Sequence, residues 1–176
     1  MKRTIAICGR TCSGKTSAGN HLAAKLGFTH IEASSIMREI WNCSGSSLTL
    51  DEFAEQQLCD HPHVVPKAAI DRAIGAHLVL TGLRSPDEVA YLSAARGETL
   101  VIYIEADIQT RLARCLNRSR PGHPRTIQDM KVLDRIHSRM GLGKIEKASS
   151  TQKLVGGQEI ESFHRALEKL VSDHYG

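Results

Sequence analysis

The segment Gly9-Arg10-Thr11-Cys12-Ser13-Gly14-Lys15-Thr16 constrains this chain more than any other. A glycine, four residues, then glycine, lysine and a hydroxyl residue is the spacing in which backbone N–H groups converge on phosphate oxygens while the lysine reaches past them. Its setting fits that use. Residues 3 to 8 form a short, β-rich apolar run, and residues 15 to 26 carry Ala18, Leu22, Ala23 and Leu26 at helical spacing. Strand, loop and helix in that order aim the positive end of a helix at a bound anion. Lys15 is therefore the expected catalytic cation at the β- and γ-phosphates, with Gly9, Thr11, Cys12, Ser13 and Gly14 completing the cradle. Thr16 is the expected magnesium ligand. ATP and Mg2+ are the implied cofactors, although the cradle alone does not separate a kinase from a GTPase, an ATPase or a switch protein.

Beyond the loop, strands keep alternating with helices. A second strand is expected over residues 28 to 32, followed by a helix with Ile36, Met37 and Ile40 that Ser34 or Ser35 can cap. Two further helices, at residues 51 to 58 and 64 to 74, are separated by the breaker Asp60-His61-Pro62-His63. Residues 77 to 81 read as a buried strand, Ser85-Pro86-Asp87-Glu88 as a helix start, and residues 99 to 104 as the next strand. A helix from about Asp107 to Leu116 gives way to a glycine- and proline-containing stretch read as a mobile flap, then to a long helix at 127 to 140. A last strand at 152 to 155 precedes Gly156-Gly157 and an amphipathic helix through Phe163, Leu167 and Leu170. Parallel strands need crossovers, so repeated βα units predict a three-layer α/β fold with helices on both faces of a parallel sheet.

With 176 residues, 41% of them hydrophobic and 24% charged, the chain suits one globular domain spanning residues 1 to 176. No apolar run approaches the roughly 20 residues that cross a bilayer, so a cytoplasmic protein without a membrane partner is expected. The five cysteines include no C-x-x-C pair. That pattern argues against a disulfide framework and a zinc site, and Cys12 reads as a small residue filling a loop position. A net charge of +4 permits an anionic partner such as DNA without requiring one.

Phosphoryl transfer spreads negative charge over equatorial oxygens, so it calls for several cations around donor and acceptor. Arg111, Arg114 and Arg118 follow helical spacing toward the flap; Arg120 and Arg125 lie within it; Arg135 and Arg139 sit four apart on the next helix. Arg118, Arg120 and Arg125 are the leading lid candidates, with Arg114 and Arg118 assigned to the nucleotide and Arg118 also to catalysis. Arg38, on the helix after the second strand, and Arg84, at the carboxyl end of the third, are placed on the acceptor side with Arg125 and Arg135. Arg84 is also assigned a catalytic role, and Glu88, one turn on, can orient it through an ion pair.

In this order the motifs resemble the nucleoside monophosphate kinase group of P-loop proteins, including dephospho-coenzyme A kinases and deoxynucleoside monophosphate kinases. The chain is especially similar to an uncharacterised archaeal family of predicted nucleotide kinases. The resemblance runs through Gly9 to Thr16, Ser35-Ile36-Met37-Arg38-Glu39, Thr81-Gly82-Leu83-Arg84-Ser85-Pro86-Asp87-Glu88-Val89, Thr110 to Arg118, and Gly156-Gly157. It implies a five-stranded sheet of order 2-3-1-4-5, an acceptor-binding insertion at about 33 to 75 that includes Ser35, and a lid at about 117 to 126. Two positions depart from the pattern: Thr81 stands where aspartate is expected, and Ser35 where aspartate is frequent. Thr81 cannot replace a carboxylate at magnesium, although its hydroxyl can bind a metal-bound water, which rests metal coordination on Thr16, ATP and water. Ser35 leaves no carboxylate base for an alcohol acceptor, with Glu32, Glu39 and Asp60 as possible substitutes.

Three activities fit these residues. The first is ATP-dependent transfer to a small nucleotide-like acceptor. The second is the same transfer to a hydroxymethyl-pyrimidine base in phage DNA, although the few aromatic residues, Trp41 among them, limit base stacking. The third is a nucleotide-binding switch module with little turnover. Oligomeric state is not legible.

Overall fold

The computed structural model describes residues 2–118, 123–157 and 159–176. Five parallel strands, β1 (Thr4–Cys8), β2 (Thr29–Glu32), β3 (Leu78–Thr81), β4 (Thr99–Glu105) and β5 (Gln152–Val155), form one sheet of order β2-β3-β1-β4-β5. Both the fold class and the strand order agree with expectation. β1 lies in the middle, pairing in register with β3 (Ile7 opposite Thr81) and with β4 (Ile7 opposite Ile102). A strand buried on both faces needs apolar side chains in both directions, and β1 has them.

The two-residue strand period sorts these side chains into two cores. Ile5, Ile7, Val79, Leu100, Ile102 and Ile104 point to one face, where α1 (Lys15–Leu26) contributes Ala18 and Leu22 and α9 (Ile160–Tyr175) contributes Phe163, Leu167 and Val171. Ala6, Cys8, Leu78, Leu80, Val101 and Tyr103 point to the other face. It is covered by α2 (Ala33–Ser44), α3 (Leu50–Asp60), α4 (Val64–Arg72), α5 (Pro86–Arg96) and α8 (Leu142–Lys147). Leu22 and Leu167 have no exposed surface. Truncating a buried leucine of this kind to alanine removes transfer energy and leaves a cavity, about 2–5 kcal/mol in all.

A smaller third cluster, Cys12, Cys115 and Met130, joins the phosphate loop to α6 (Ile108–Arg118) and α7 (Ile127–Met140). Thr49, Ser85 and Thr126 each close a capping box at the start of α3, α5 and α7, which fixes those helix origins. α2 differs from expectation. It starts at Ala33 directly from β2, with Glu32 at the N-cap and no side-chain cap, so Ser34 and Ser35 lie inside its first turn. α8 is an additional short helix, set off from α7 by Gly141 at φ 111°. Trp41, on α2, packs against the core and donates its indole N–H to the Leu48 carbonyl, a packing role. Among the described residues no helix is long and apolar enough to cross a membrane.

Candidate nucleotide and acceptor site

β1 delivers the chain to Gly9, and α1 starts at Lys15 with Gly14 at its N-cap. Gly9 has φ 142°, and a Cβ there would lie 2.6 Å from the Ile104 carbonyl oxygen and 2.8 Å from Ser13 Oγ, so no side chain fits. The α1 N-cap has no side-chain hydrogen bond, which leaves the first N–H groups of the helix facing the loop. Lys15 Nζ donates to the carbonyls of Gly9 and Arg10 at 2.8 and 2.7 Å. Burial, with the nearby Arg84 charge behind it, pushes Lys15 down to about 7. A partly buried lysine beside a helix start that no side chain caps is a site short of negative charge. Ser13 Oγ is buried without a hydrogen-bond partner. These features fit a polyphosphate.

Thr16 Oγ1 donates to Glu32 Oε1 at 2.6 Å. Glu32 lies opposite Thr81 in the β2–β3 register. A carboxylate hydrogen-bonded to Thr16 therefore stands at the end of β2, next to Thr81 at the end of β3. Thr81 itself is buried, its hydroxyl 3.0 Å from His30 Nε2. Of the three substitutes named from sequence, only Glu32 stands at the loop: Glu39 pairs with Arg72 and Asp60 is exposed at the end of α3. A hydroxyl and a carboxylate side by side make a hard, oxygen-donor pair suited to magnesium and its water shell.

The arginines separate into distinct roles. Arg111 is buried and makes a two-pronged ion pair with Asp134 on α7, at 3.0 and 2.7 Å. Arg10 of the loop reaches the same carboxylate at 3.0 Å, and Arg111 also donates to the Thr11 carbonyl. Arg111 is therefore a clamp on the loop rather than a lid cation. Arg114 donates to the Ser13 carbonyl at 3.1 Å and to the Gly156 carbonyl, tying loop, α6 and β5 together. Arg118, at the exposed end of α6, is close enough for its charge to act on Lys15. Arg125 is exposed, and its backbone N–H donates to Asp129 at the start of α7. Arg120 lies outside the described residues, as does much of the expected lid. Arg135 lines an open basic cleft with Arg10 and Lys131, and Arg139 is taken up by Glu55 at 2.7 and 2.8 Å. Asp134, the hub of the arrangement, had no local sequence signature.

On the other side of Lys15, a cleft between α2, α3 and α4 is walled by Met37, Leu50, Ala54, Leu58 and Val65, with Arg84 and Glu88 at its edge. Ser34, rather than Ser35, lines it, and Arg38 is an exposed residue outside the lining. The expected Glu88–Arg84 ion pair is replaced by a cap. Glu88 accepts the backbone N–H groups of Arg84 and Ser85 at 2.7 and 3.0 Å, and burial pushes its carboxyl up to about 7. The Arg84 guanidinium instead approaches Asp51 at 3.4 Å. Burial alone would raise Asp51, but the His137 and Arg84 side chains hold it below the usual carboxylate range. His137, 3.9 Å from Asp51, is pushed down to about 4 by burial and the Arg84 charge.

The cysteines correct the sequence reading. Cys12 and Cys115 are joined by a disulfide across 103 residues, while Cys8, Cys43 and Cys59 are free. The pair has no sequence signature because the fold alone brings α6 under the loop. His123 lies with them, its ring nitrogen and both sulfurs all within 4.8 Å of one another.

Sheet order, phosphate loop and flanking helices together define a P-loop kinase-like domain. Within that class the chain belongs to the AAA domain family (AAA_17), which it matches over residues 8–134. A UPF0200 protein of Hyperthermus butylicus is 29% identical over 175 residues, covering 96% of this chain and 92% of that protein. A UPF0200 protein of Thermoplasma volcanium is 30% identical over 97 residues, so the match spans 55% of this chain and about half, 54%, of that relative. A gluconokinase from Sinorhizobium meliloti 1021 has the same fold, with a TM-score of 0.68 at 20% identity over 98% of this chain and 93% of its own. A sugar kinase from Janibacter sp. HTCC2649 gives 0.64 at 18% identity over 99% and 96%.

Proposed function

We propose that the chain is an ATP-dependent phosphotransferase that moves the γ-phosphoryl group of ATP to a small, nucleotide-like acceptor held in the α2–α4 cleft. The observation that carries this reading is Lys15, hydrogen-bonded to the phosphate loop and near enough to Arg84 of the cleft for the two charges to act on each other, which supports a transferring group met by cations from both donor and acceptor sides. Thr16 and Glu32 are the residues that would hold magnesium, which when bound screens the phosphate charge. Lys15 leaves the Gly9 and Arg10 carbonyls for phosphate oxygens, and Arg118 adds charge from the end of α6. Arg84, steadied by Asp51, orients the acceptor's anionic group. Among the described lining residues the carboxylate is Glu88, which is engaged by the backbone N–H groups of Arg84 and Ser85, and this suits an acceptor oxygen that is already ionised, as a phosphate is.

The cleft wall bears on the acceptor's body. Polyol hydroxyls buried against Met37, Leu50, Ala54, Leu58 and Val65 would lose hydrogen bonds to water without replacement. A flat heteroaromatic body with an anionic group suits that wall better than the sugar acceptors named for the two structural neighbours. The test is transfer of label from γ-labelled ATP across nucleoside monophosphates, dephospho-coenzyme A, gluconate and other sugars, and hydroxymethyl-pyrimidine DNA. Label on a nucleotide-like small molecule is the expected result. Label only on a sugar or on DNA, or binding without transfer to any acceptor, would overturn the proposal.

A further inference from the structure

We propose that Cys12 and Cys115 are a reversible thiol–disulfide site that sets the shape of the phosphate loop, so that oxidising the pair tightens nucleotide binding. The inference rests on the reading of that loop as a nucleotide site. Cys12 is the only described non-glycine residue with positive φ, at 61°. That left-handed conformation is unfavourable for any residue bearing a Cβ. Its neighbours are held to α6 on either side: Arg111 donates to the Thr11 carbonyl and Arg114 to the Ser13 carbonyl. The disulfide to Cys115 is the covalent member of this set and fixes Cys12 directly. Both sulfurs sit in a small apolar cluster with Met130, on the side of the loop that faces α6.

Cutting the cross-link leaves Cys12 free to relax toward negative φ. Such a turn rotates the peptide planes of Cys12 and Ser13 and spoils the convergence of their N–H groups. If the competent loop shape then makes up about one tenth of the population, apparent affinity falls about tenfold.

Closure starts from the thiolate of either cysteine, beside which His123 places a ring nitrogen within 4.8 Å of both sulfurs. The thiolate attacks one sulfur of a small-molecule disulfide and expels one small thiol. The second cysteine then displaces the protein-bound half as a second thiol. Two protein thiols and one small disulfide become one protein disulfide and two small thiols, with the protein oxidised and the small disulfide reduced.

The experiment measures the dissociation constant of a non-hydrolysable ATP analogue for protein treated with a small-molecule disulfide and for protein treated with dithiothreitol. Titration of thiols after denaturation should find the three free cysteines in the oxidised form and all five in the reduced form. The oxidised form is expected to bind about tenfold more tightly. Cys115→Ser should resemble the reduced form and ignore redox treatment. Cys12→Gly should ignore redox treatment, and adding it to Cys115→Ser should raise that variant's affinity, because glycine adopts positive φ freely, a rescue that loss of packing would not give. Equal affinity in both states, five thiols after oxidation, or reduced protein that retains zinc through Cys12, Cys115 and His123 would overturn the proposal. Binding that is present but indifferent to redox sinks this inference alone, whereas absence of nucleotide binding in every form sinks the functional reading with it.

Discussion

The phosphate loop and the acceptor cleft hold their charges in different ways. Around the loop, Arg10 and Arg111 converge on one carboxylate, Asp134, and both partners of the Arg111 pair are nearly inaccessible, with side chains 3% and 12% exposed. Around the cleft, Arg84 has a single carboxylate, Asp51, at 3.4 Å, with the carboxylate side chain 37% exposed. Apart from Ser34 and Glu88, whose carboxylate is taken up by backbone N–H groups, the remaining side chains of the wall are apolar. The buried Arg111–Asp134 pair has one low-energy arrangement, because moving either member strands a charge, while Arg10, 36% exposed, is the solvent-facing third member. A half-exposed pair can exchange its partner for water or ligand. On the proposed function, the loop is thus pre-set for a fixed polyphosphate, while the cleft keeps a cation available to an entering anion.

The largest consequence of that difference lies in stability. Asp134→Ala leaves Arg111 buried without a counter-charge, for which about 3–5 kcal/mol is the usual cost. Urea unfolding followed by circular dichroism should show that loss. Asp51→Ala should cost clearly less, since Arg84 can reach solvent. Equal losses for the two variants would erase the contrast between loop and cleft.

Next in size is the loss of the loop lysine. Lys15→Ala removes a positioned cation from the donor side, and a single such contact contributes about 100- to 1,000-fold in rate. The labelled-ATP assay on folded protein measures it. A variant that keeps full transfer activity would remove Lys15 from the chemistry and leave the loop a structural feature.

How far each region could be read from sequence follows the same division. The cradle needs consecutive residues because neighbouring N–H groups must converge, so Gly9 to Thr16 announces itself and β1 and α1 follow from it. The strand order came through resemblance and the strands through alternating βα units. Asp134, Glu32 beside Thr16, and the Cys12–Cys115 pair are joined only through the fold, 124, 16 and 103 residues from the atoms they meet. No local pattern carries such a contact. On the cleft side, expectation and structure differ where a helix begins without the usual cap: α2 leaves β2 at Ala33, and Ser34 rather than Ser35 lines the cleft. Glu88 was misread for a related reason, as a carboxylate three residues after Ser85 serves the helix start before it serves a neighbour's side chain.

A smaller effect, but a more selective one, is expected at Arg84. Hydrogen bonds to charged groups contribute about 1.5–3 kcal/mol, so Arg84→Ala should weaken acceptor binding by about 10- to 100-fold. The Michaelis constant for the acceptor should carry most of the change, with the dissociation constant of the ATP analogue moving much less. A change of equal size in both would mean that Arg84 belongs to the donor site, and the two regions would merge into one.

The smallest effect is the one that couples the regions. Burial and the Arg84 charge hold Lys15 at about 7, well below its ordinary 10.5. The unfolded chain therefore binds more protons than the folded one between those values, and stability rises with pH across that window. Phosphate oxygens favour the charged lysine and reverse the shift. At pH 8, binding of the ATP analogue should accordingly take up a proton, close to one per nucleotide at most. Calorimetry in two buffers of different ionisation enthalpy reads this as a buffer-dependent heat. Lys15→Ala should abolish it. Arg84→Ala should reduce it, because a lysine freed of that neighbour is already more protonated before the nucleotide arrives. Uptake that is unchanged in Arg84→Ala would show burial acting alone, with the acceptor cation electrically independent of the loop.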